Sequence, residues 1–430
     1  MSIIQPFPAI RYAPPERNCD ISARLAPPYD VLDQTGKDTL LARDPKNFVK
    51  IDLPHMPPKS AGPPTAYAAA HSTLRQWLED GTMVRDHRPQ IYVYHQKYRH
   101  AGTEYVRKMF FARLRLEPFG TGGVFPHERT FGGPKEDRLA LTQATQANLS
   151  PIFGLYEDAA NAVSRRLEEG LPTRPLAKGT LDGVENYLWG VDDPGRIAAV
   201  AELMKPTAIY IADGHHRYGT GLLYRDWLVR QQGQLPDNNP VNYVLCVFCA
   251  MEDPGLLILP THRVLAGVKV GADLLAGDAN LDVQPLAAKG PDEVLKSLVK
   301  LGPQAIGCFD AASGRYVAVR PRSPDILDSL EPDRSPAWRR LGLAFLHAYL
   351  LDRVVSPKLC GGKEPAIQYI KTAADAVRAA SDGQGTVFLL QPTTMEELRG
   401  VCGAGDLMPQ KSTYFFPKLA SGLVINPLSE

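Results

Sequence analysis

The sequence lacks a surplus of charge of either sign. In 430 residues, 48 Lys and Arg stand against 47 Asp and Glu, for a formal net charge of +1. Proteins held to nucleic acid by many phosphate contacts, or to anionic membranes by polybasic segments, carry a basic excess. No nucleic-acid or membrane partner is therefore expected. No uninterrupted apolar run approaches the roughly 18 residues of a spanning helix. The start, Met1-Ser2-Ile3-Ile4-Gln5-Pro6, has neither the basic region nor the apolar region of a secretory signal. A cytoplasmic location is the expectation. The six cysteines, Cys19, Cys246, Cys249, Cys308, Cys360 and Cys402, are too scattered for a disulfide scaffold. Cys246 and Cys249 have CxxC spacing, but they sit in the apolar run Tyr243–Met251 with no second pair downstream, so they read as buried strand positions rather than as a zinc site. Neither Gly361-Gly362 nor Gly403-x-Gly405 is followed by Lys-Ser/Thr at the required spacing, which excludes a Walker-type phosphate loop.

Proline, by contrast, is abundant. Its 38 copies make about twice the usual share and predict many ordered loops, from which sites tend to be built. Between the proline-rich stretches, Ala66–Asp80 has helical spacing, and Gln90–Gln96 with Tyr105–Leu116 reads as a β-hairpin around His100-Ala101-Gly102. Glu136–Asn148 and Ala159–Glu169 read as helices, with Pro151–Tyr156 a strand between them. Ile197–Met204 is a short helix, Ala208–Ala212 a buried strand and His216–Gln232 a long helix. Asn242–Met251 and Gly255–Pro260 suggest a second hairpin. Ala337–Asp352 suggests one strong helix, and Ala305–Asp310, Arg315–Arg320 and Thr386–Gln391 suggest strands. Helices and strands mix without regular βαβ repetition, so the expected class is α+β. Two domains are expected, a motif-bearing core over 1–265 and an α+β unit over 266–430 whose Lys411–Thr413 segment folds back on the core.

The densest polar cluster in an apolar setting is Asp213-Gly214-His215-His216-Arg217-Tyr218, where the strand gives way to the helix. Gly214 permits a tight turn, and the first N–H groups of a helix have no acceptor within it. Anions bind well at such ends. Two imidazoles and a guanidinium there favour phosphate, with Arg217 able to engage two oxygens. The plain alternative is a helix capped by Asp213. A second cluster, His127-Glu128-Arg129-Thr130 with Lys135, Asp137 and Arg138, offers a carboxylate beside a histidine as a general base and cations for phosphate, or simply a solvated loop. His262-Arg263, at the end of a strand, and Lys411-Ser412-Thr413, in a segment that also carries Lys418, are further candidate phosphate contacts.

Taken together, Pro28-Tyr29-Asp30-Val31, His127-Glu128-Arg129-Thr130, Asn148-Leu149-Ser150-Pro151-Ile152-Phe153, Ala212-Asp213-Gly214-His215-His216-Arg217-Tyr218, Thr261-His262-Arg263 and Met408-Pro409-x-Lys411-Ser412-Thr413 resemble the DUF1015 family of bacterial and archaeal proteins. The Asp-Gly-His-His-Arg turn is also similar to the phosphate-binding signature of the ParB/sulfiredoxin superfamily, and most of all to that of its free-serine kinases. That resemblance implies a ParB/sulfiredoxin-like core with large insertions. It also implies a kinase moving a phosphoryl group from ATP or ADP to a small hydroxylated metabolite, L-serine first. Glu128 would match the catalytic base after His127, and Asp213, Gly214, His215, His216 and Arg217 the nucleotide-phosphate turn, with His216 taking part in catalysis. Mg²⁺ would accompany the nucleotide, with Asp213 its candidate contact. His127, Lys135, Arg138, His262, Arg263, Lys411, Ser412 and Thr413 would bind substrate or phosphate. The two kinase motifs stand 213 − 128 = 85 residues apart, a longer separation than in the compact kinases. Two other classes fit the same residues: a nucleotide-dependent switch or partner-binding protein, and a phosphatase using His215 or His216 as nucleophile.

Overall fold

The computed structural model describes residues 3–13, 19–57, 60–120, 122–128, 135–311 and 313–429. Arg129 and Thr130, singled out above, lie outside them. Contacts divide the chain into two compact units. The first comprises Met1–Pro126, Thr130–Leu257 and Pro417–Glu430, and the second His127–Arg129 with Ile258–Phe416. Among the described residues, no helix is long and apolar enough to cross a membrane.

The first unit is built on one nine-stranded mixed sheet: β1 (Ile4–Gln5), β2 (Ile91–His100), β3 (Thr103–Arg115), β4 (Val124–Pro126), β5 (Ile152–Tyr156), β6 (Ala177–Leu181), β7 (Val184–Val191), β8 (Ile209–Asp213) and β9 (Tyr243–Ala250). The order is β4-β8-β5-β9-β3-β2-β7-β6, with β1 added alongside β3. The expected hairpin is β2 with β3, in antiparallel register from Tyr92–Phe111 to His100–Thr103. The second expected hairpin does not form. Instead β9 pairs antiparallel with β3 and parallel with β5, because all eight of its residues are buried and a strand covered on both faces belongs inside a sheet. Cys246 and Cys249 lie in β9, both fully buried. Three apart on a strand, their side chains leave opposite faces, which no single metal could bridge. The β6–β7 hairpin was missed. Its signal was Asp182-Gly183, whose φ values of 50° and 77° are the two left-handed residues of a two-residue hairpin turn.

Val93, Phe110, Ile152, Ile209, Ile211, Cys246 and Phe248 form the centre of the main core, which Tyr218 joins from helix α2 (His215–Gln232); helix α1 is Lys135–Thr145. The aromatic rings of Phe110 and Phe248 stack at 5.0 Å.

The second unit carries a six-stranded sheet of β10 (His262–Leu265), β11 (Leu281–Leu286), β12 (Ile306–Asp310), β13 (Arg315–Pro321), β14 (Gln368–Ile370) and β15 (Thr386–Leu389), in the order β11-β13-β12-β15-β10-β14 and antiparallel throughout. Val264, Leu298, Val387 and Leu389 centre its core. The single helix expected over 337–352 is interrupted at Arg340-Leu341, between Pro336–Arg339 and a continuous run of Gly342–Phe345 and the π-helical Leu346–Val355. Leu341 is extended, with ψ 133°. A Cβ on Gly342 would stand 2.7 Å from the Pro303 carbonyl oxygen.

Candidate functional site

Strand β8 runs between β4, its parallel neighbour, and β5, its antiparallel one, and a register shift after Ile211 precedes Asp213. Ile209, Ile211 and Ala212 are buried, so the strand is anchored by apolar packing up to the first polar residue. Gly214 then turns the chain at φ 87°, a left-handed conformation that only glycine adopts without strain. Helix α2 begins directly, with no side-chain cap bond at Gly214. Asp213 is therefore not the cap that the plain alternative requires.

Asp213 is instead an ion-pair partner. Lys418 Nζ donates to its Oδ2 at 2.5 Å, and Arg217 Nη2 stands 3.6 Å from its Oδ1. Burial pushes the carboxyl group up, but Lys418 and Arg217 overcome this and hold it well below the usual carboxylate range. Arg217 folds back across the turn, donating from Nη1 to the Pro151 carbonyl. A Cβ on Gly214 would lie 3.1 Å from Arg217 Nε and 3.1 Å from the Ile152 Cα. Glycine is thus required twice, for its φ and for the space that Arg217 takes. Two cations face one carboxylate at a helix end that itself carries about half a positive charge, so the turn has a net positive field. His215 is buried in the first turn of α2, and the carbonyl of His216 accepts from Thr220 Oγ1 at 2.8 Å. Lys135 lies along the same helix: a Cβ on Gly219 would be 3.5 Å from its Cε.

Arg138 is committed elsewhere. It donates to Asp137 Oδ2 at 2.6 Å and to the Asp52 carbonyl at 2.7 Å, and its guanidinium lies 4.0 Å from the centre of the Tyr29 ring. Asp52 in turn accepts from Ser150 Oγ at 2.6 Å. Burial raises the Asp52 carboxyl while Arg138, Ser150 and Arg217 lower it, and burial raises the Tyr29 phenol to about 12. Two carboxylates at Arg138 more than balance its single charge, which makes it a bracing residue of the first unit. Its partner Asp52 was not singled out for this role in the sequence, because it lies 86 positions away from Arg138.

The second unit gathers three other sequence clusters. Glu128 bridges Met408 in parallel, Glu128 Oε2 accepts from the Lys411 N–H at 3.2 Å, and His127 Nε2 lies 2.8 Å from Thr413 Oγ1. The His127 ring meets Phe415 edge-on at 6.0 Å. Arg263 Nη2 donates to the carbonyls of Gln410 and Lys411 at 2.9 and 3.0 Å. His262 Nδ1 accepts from the Leu390 N–H, and burial together with Arg263 pushes this imidazole down to about 4. It is therefore neutral at pH 7 and adds no charge for a phosphate. Lys411, a left-handed residue at φ 55°, and Lys418 read as neighbours in the sequence. The structure gives them different partners, Glu128 for the Lys411 backbone and Asp213 for the Lys418 ammonium.

The model of a family described as "Protein of unknown function (DUF1015)" matches residues 4–293, more than half of the chain, which therefore belongs to that family. Among solved structures the chain is similar to a conserved hypothetical protein from Pyrococcus furiosus, with 14% identity over 71% of this chain and 92% of that one and a TM-score of 0.32. It is also similar to a free serine kinase in complex with AMP, with 12% identity, 70% and 89% coverage and a TM-score of 0.34. A third is C-terminally truncated SbnI from Staphylococcus aureus, with 11% identity, 74% and 87% coverage and a TM-score of 0.34. No curated protein matches the chain.

Proposed function

For this member of the DUF1015 family, we propose a phosphotransferase whose donor phosphates are held by the 213–217 turn, on a ParB/sulfiredoxin-like core. The observation that carries the reading is the surplus of positive charge at Gly214, where Lys418 and Arg217 outnumber Asp213 at the start of α2. An anion there is favoured by the helix end and by both cations. The donor is ATP or ADP and the acceptor a small hydroxylated metabolite, L-serine being the first to try. Phosphoryl transfer depends mostly on positioning and on charge stabilisation. Arg217 orients the transferred group, and His215, His216 and Lys135 add hydrogen bonds and charge.

The residues present do not fit a protein-held Mg²⁺. Among the described residues no group of three His, Cys, Asp or Glu could hold a metal ion, and the Asp213 carboxylate is already paired with Lys418. No step of this account therefore runs through a metal. Mass spectrometry of the full chain with ATP or ADP and a pool of amino acids and polyols tests the reading. A phosphorylated acceptor formed only with enzyme and nucleotide supports it. Release of inorganic phosphate without any acceptor product would favour the phosphatase, and nucleotide binding without turnover the switch.

A further inference from the structure

Arg263 is an unusual buried cation. Only 1% exposed, it has no carboxylate within ion-pair distance among the described residues. Its Nη1 donates to the Thr261 carbonyl and its Nη2 to those of Gln410 and Lys411, while the guanidinium lies 5.2 Å from the centre of the Tyr369 ring. Its Nε meets no acceptor. Burial lowers the group to about 10, so it remains charged at neutral pH. A buried charge without a counter-ion costs several kcal/mol, and carbonyl dipoles offset this only in part. In the same unit, Ser412 is 4% exposed and its Oγ also has no partner. Both residues line one small, half-open cleft, walled on its apolar side by Leu341, Leu343 and Leu390. Two unmatched donors, both closed to solvent, and one unmatched positive charge thus belong to residues that share this apolar wall.

We propose that this cleft binds a small organic monocarboxylate. One carboxylate oxygen accepts from Arg263 Nε and the other from Ser412 Oγ, while the apolar body of the ligand packs against the leucines. A dianion such as phosphate suits the cleft less well. Glu397, which also lines it, is held in place by its bonds to Thr394 and repels a second negative charge. The site lies wholly within the second unit and does not depend on the reading of the 213–217 turn.

Isovalerate is the probe, titrated calorimetrically into the full chain beside isovaleramide, its uncharged counterpart, and inorganic phosphate. Isovalerate is expected to bind saturably, the amide not to bind, and phosphate not to displace isovalerate. Ser412→Ala removes a hydroxyl that has no partner, so the fold is retained, and it should weaken isovalerate by about 10- to 100-fold, the worth of a hydrogen bond to a charged group. Arg217→Ala should leave isovalerate affinity unchanged, which separates this site from the turn. The proposal is overturned if isovalerate fails to bind at about 10 mM, a concentration at which even millimolar affinity is visible. It is also overturned if the amide binds equally well, if phosphate displaces isovalerate, or if Ser412→Ala binds as the wild type does.

Discussion

Replacing Gly214 by alanine strains the turn through two separate effects. Placing an L-residue at φ 87° costs about 1–2 kcal/mol. The new methyl also meets the Ile152 Cα at 3.1 Å and the Arg217 Nε and Cζ at 3.1 and 3.2 Å. Ile152 is backbone of an inner strand and cannot yield, so crowding adds about 1–3 kcal/mol, as overpacking of a filled site does. Arg217 can yield, but only by leaving the Pro151 carbonyl and Asp213. A total of about 2–5 kcal/mol is expected, together with weaker phosphate binding. Gly233 supplies the control at the other end of α2. Its φ is 83° and nothing lies within 4 Å of an added Cβ, but its ψ of −166° is a conformation almost reserved to glycine, so Gly233→Ala should cost backbone strain alone, about 1–3 kcal/mol, and leave phosphate affinity alone. Urea denaturation measures the stabilities and phosphate titration the affinities. Equal stabilities of the two variants, with wild-type affinity in Gly214→Ala, would refute the claim that this glycine makes room for Arg217.

Two further substitutions test the charge assignments. Lys418→Met leaves Asp213 with Arg217 alone at 3.6 Å. Both Lys418 and Asp213 are about a quarter exposed, so the cost falls below that of a fully buried pair, at roughly 1–3 kcal/mol. Because the native Asp213 carboxyl is held below its unfolded value, its contribution is complete above about pH 4 and is lost as the pH falls through the lower native value. Lys418→Met should therefore show a smaller loss of stability on acidification than the wild type, measured as the urea midpoint against pH. Arg138→Met strands two buried carboxylates and should cost about 3–5 kcal/mol; unchanged stability with impaired phosphate binding would return Arg138 to the ligand.

Periodicity and turn chemistry made much of the fold legible. The β2–β3 hairpin, the burial of β8 and the start of α2 next to Gly214 all follow from apolar spacing and a glycine at the junction. What the sequence could not give was partnership across long separations. Lys418 and Asp213 are 205 positions apart, and Glu128 and Lys411 are 283 apart, so no local pattern links them. The same limit hid the role of Arg138, which looks like an exposed loop cation until Asp52 and Asp137 are seen around it. The strand β9 was placed in the wrong pairing because an all-apolar run reveals burial but not its neighbours. The β6–β7 hairpin was legible in principle, since Asp182-Gly183 announces it. Helix 337–352 failed for the opposite reason: its pattern was sound, but the chain is extended at Leu341.

Calorimetric titration of ADP into the wild type and into Arg217→Ala tests the central claim most directly. The account predicts saturable binding to the wild type and a loss of roughly 1.5–3 kcal/mol in the variant, the worth of a hydrogen bond to a charged group. Equal affinity in the two proteins, or no binding of ADP to the wild type, would contradict the assignment of the 213–217 turn as the phosphate site.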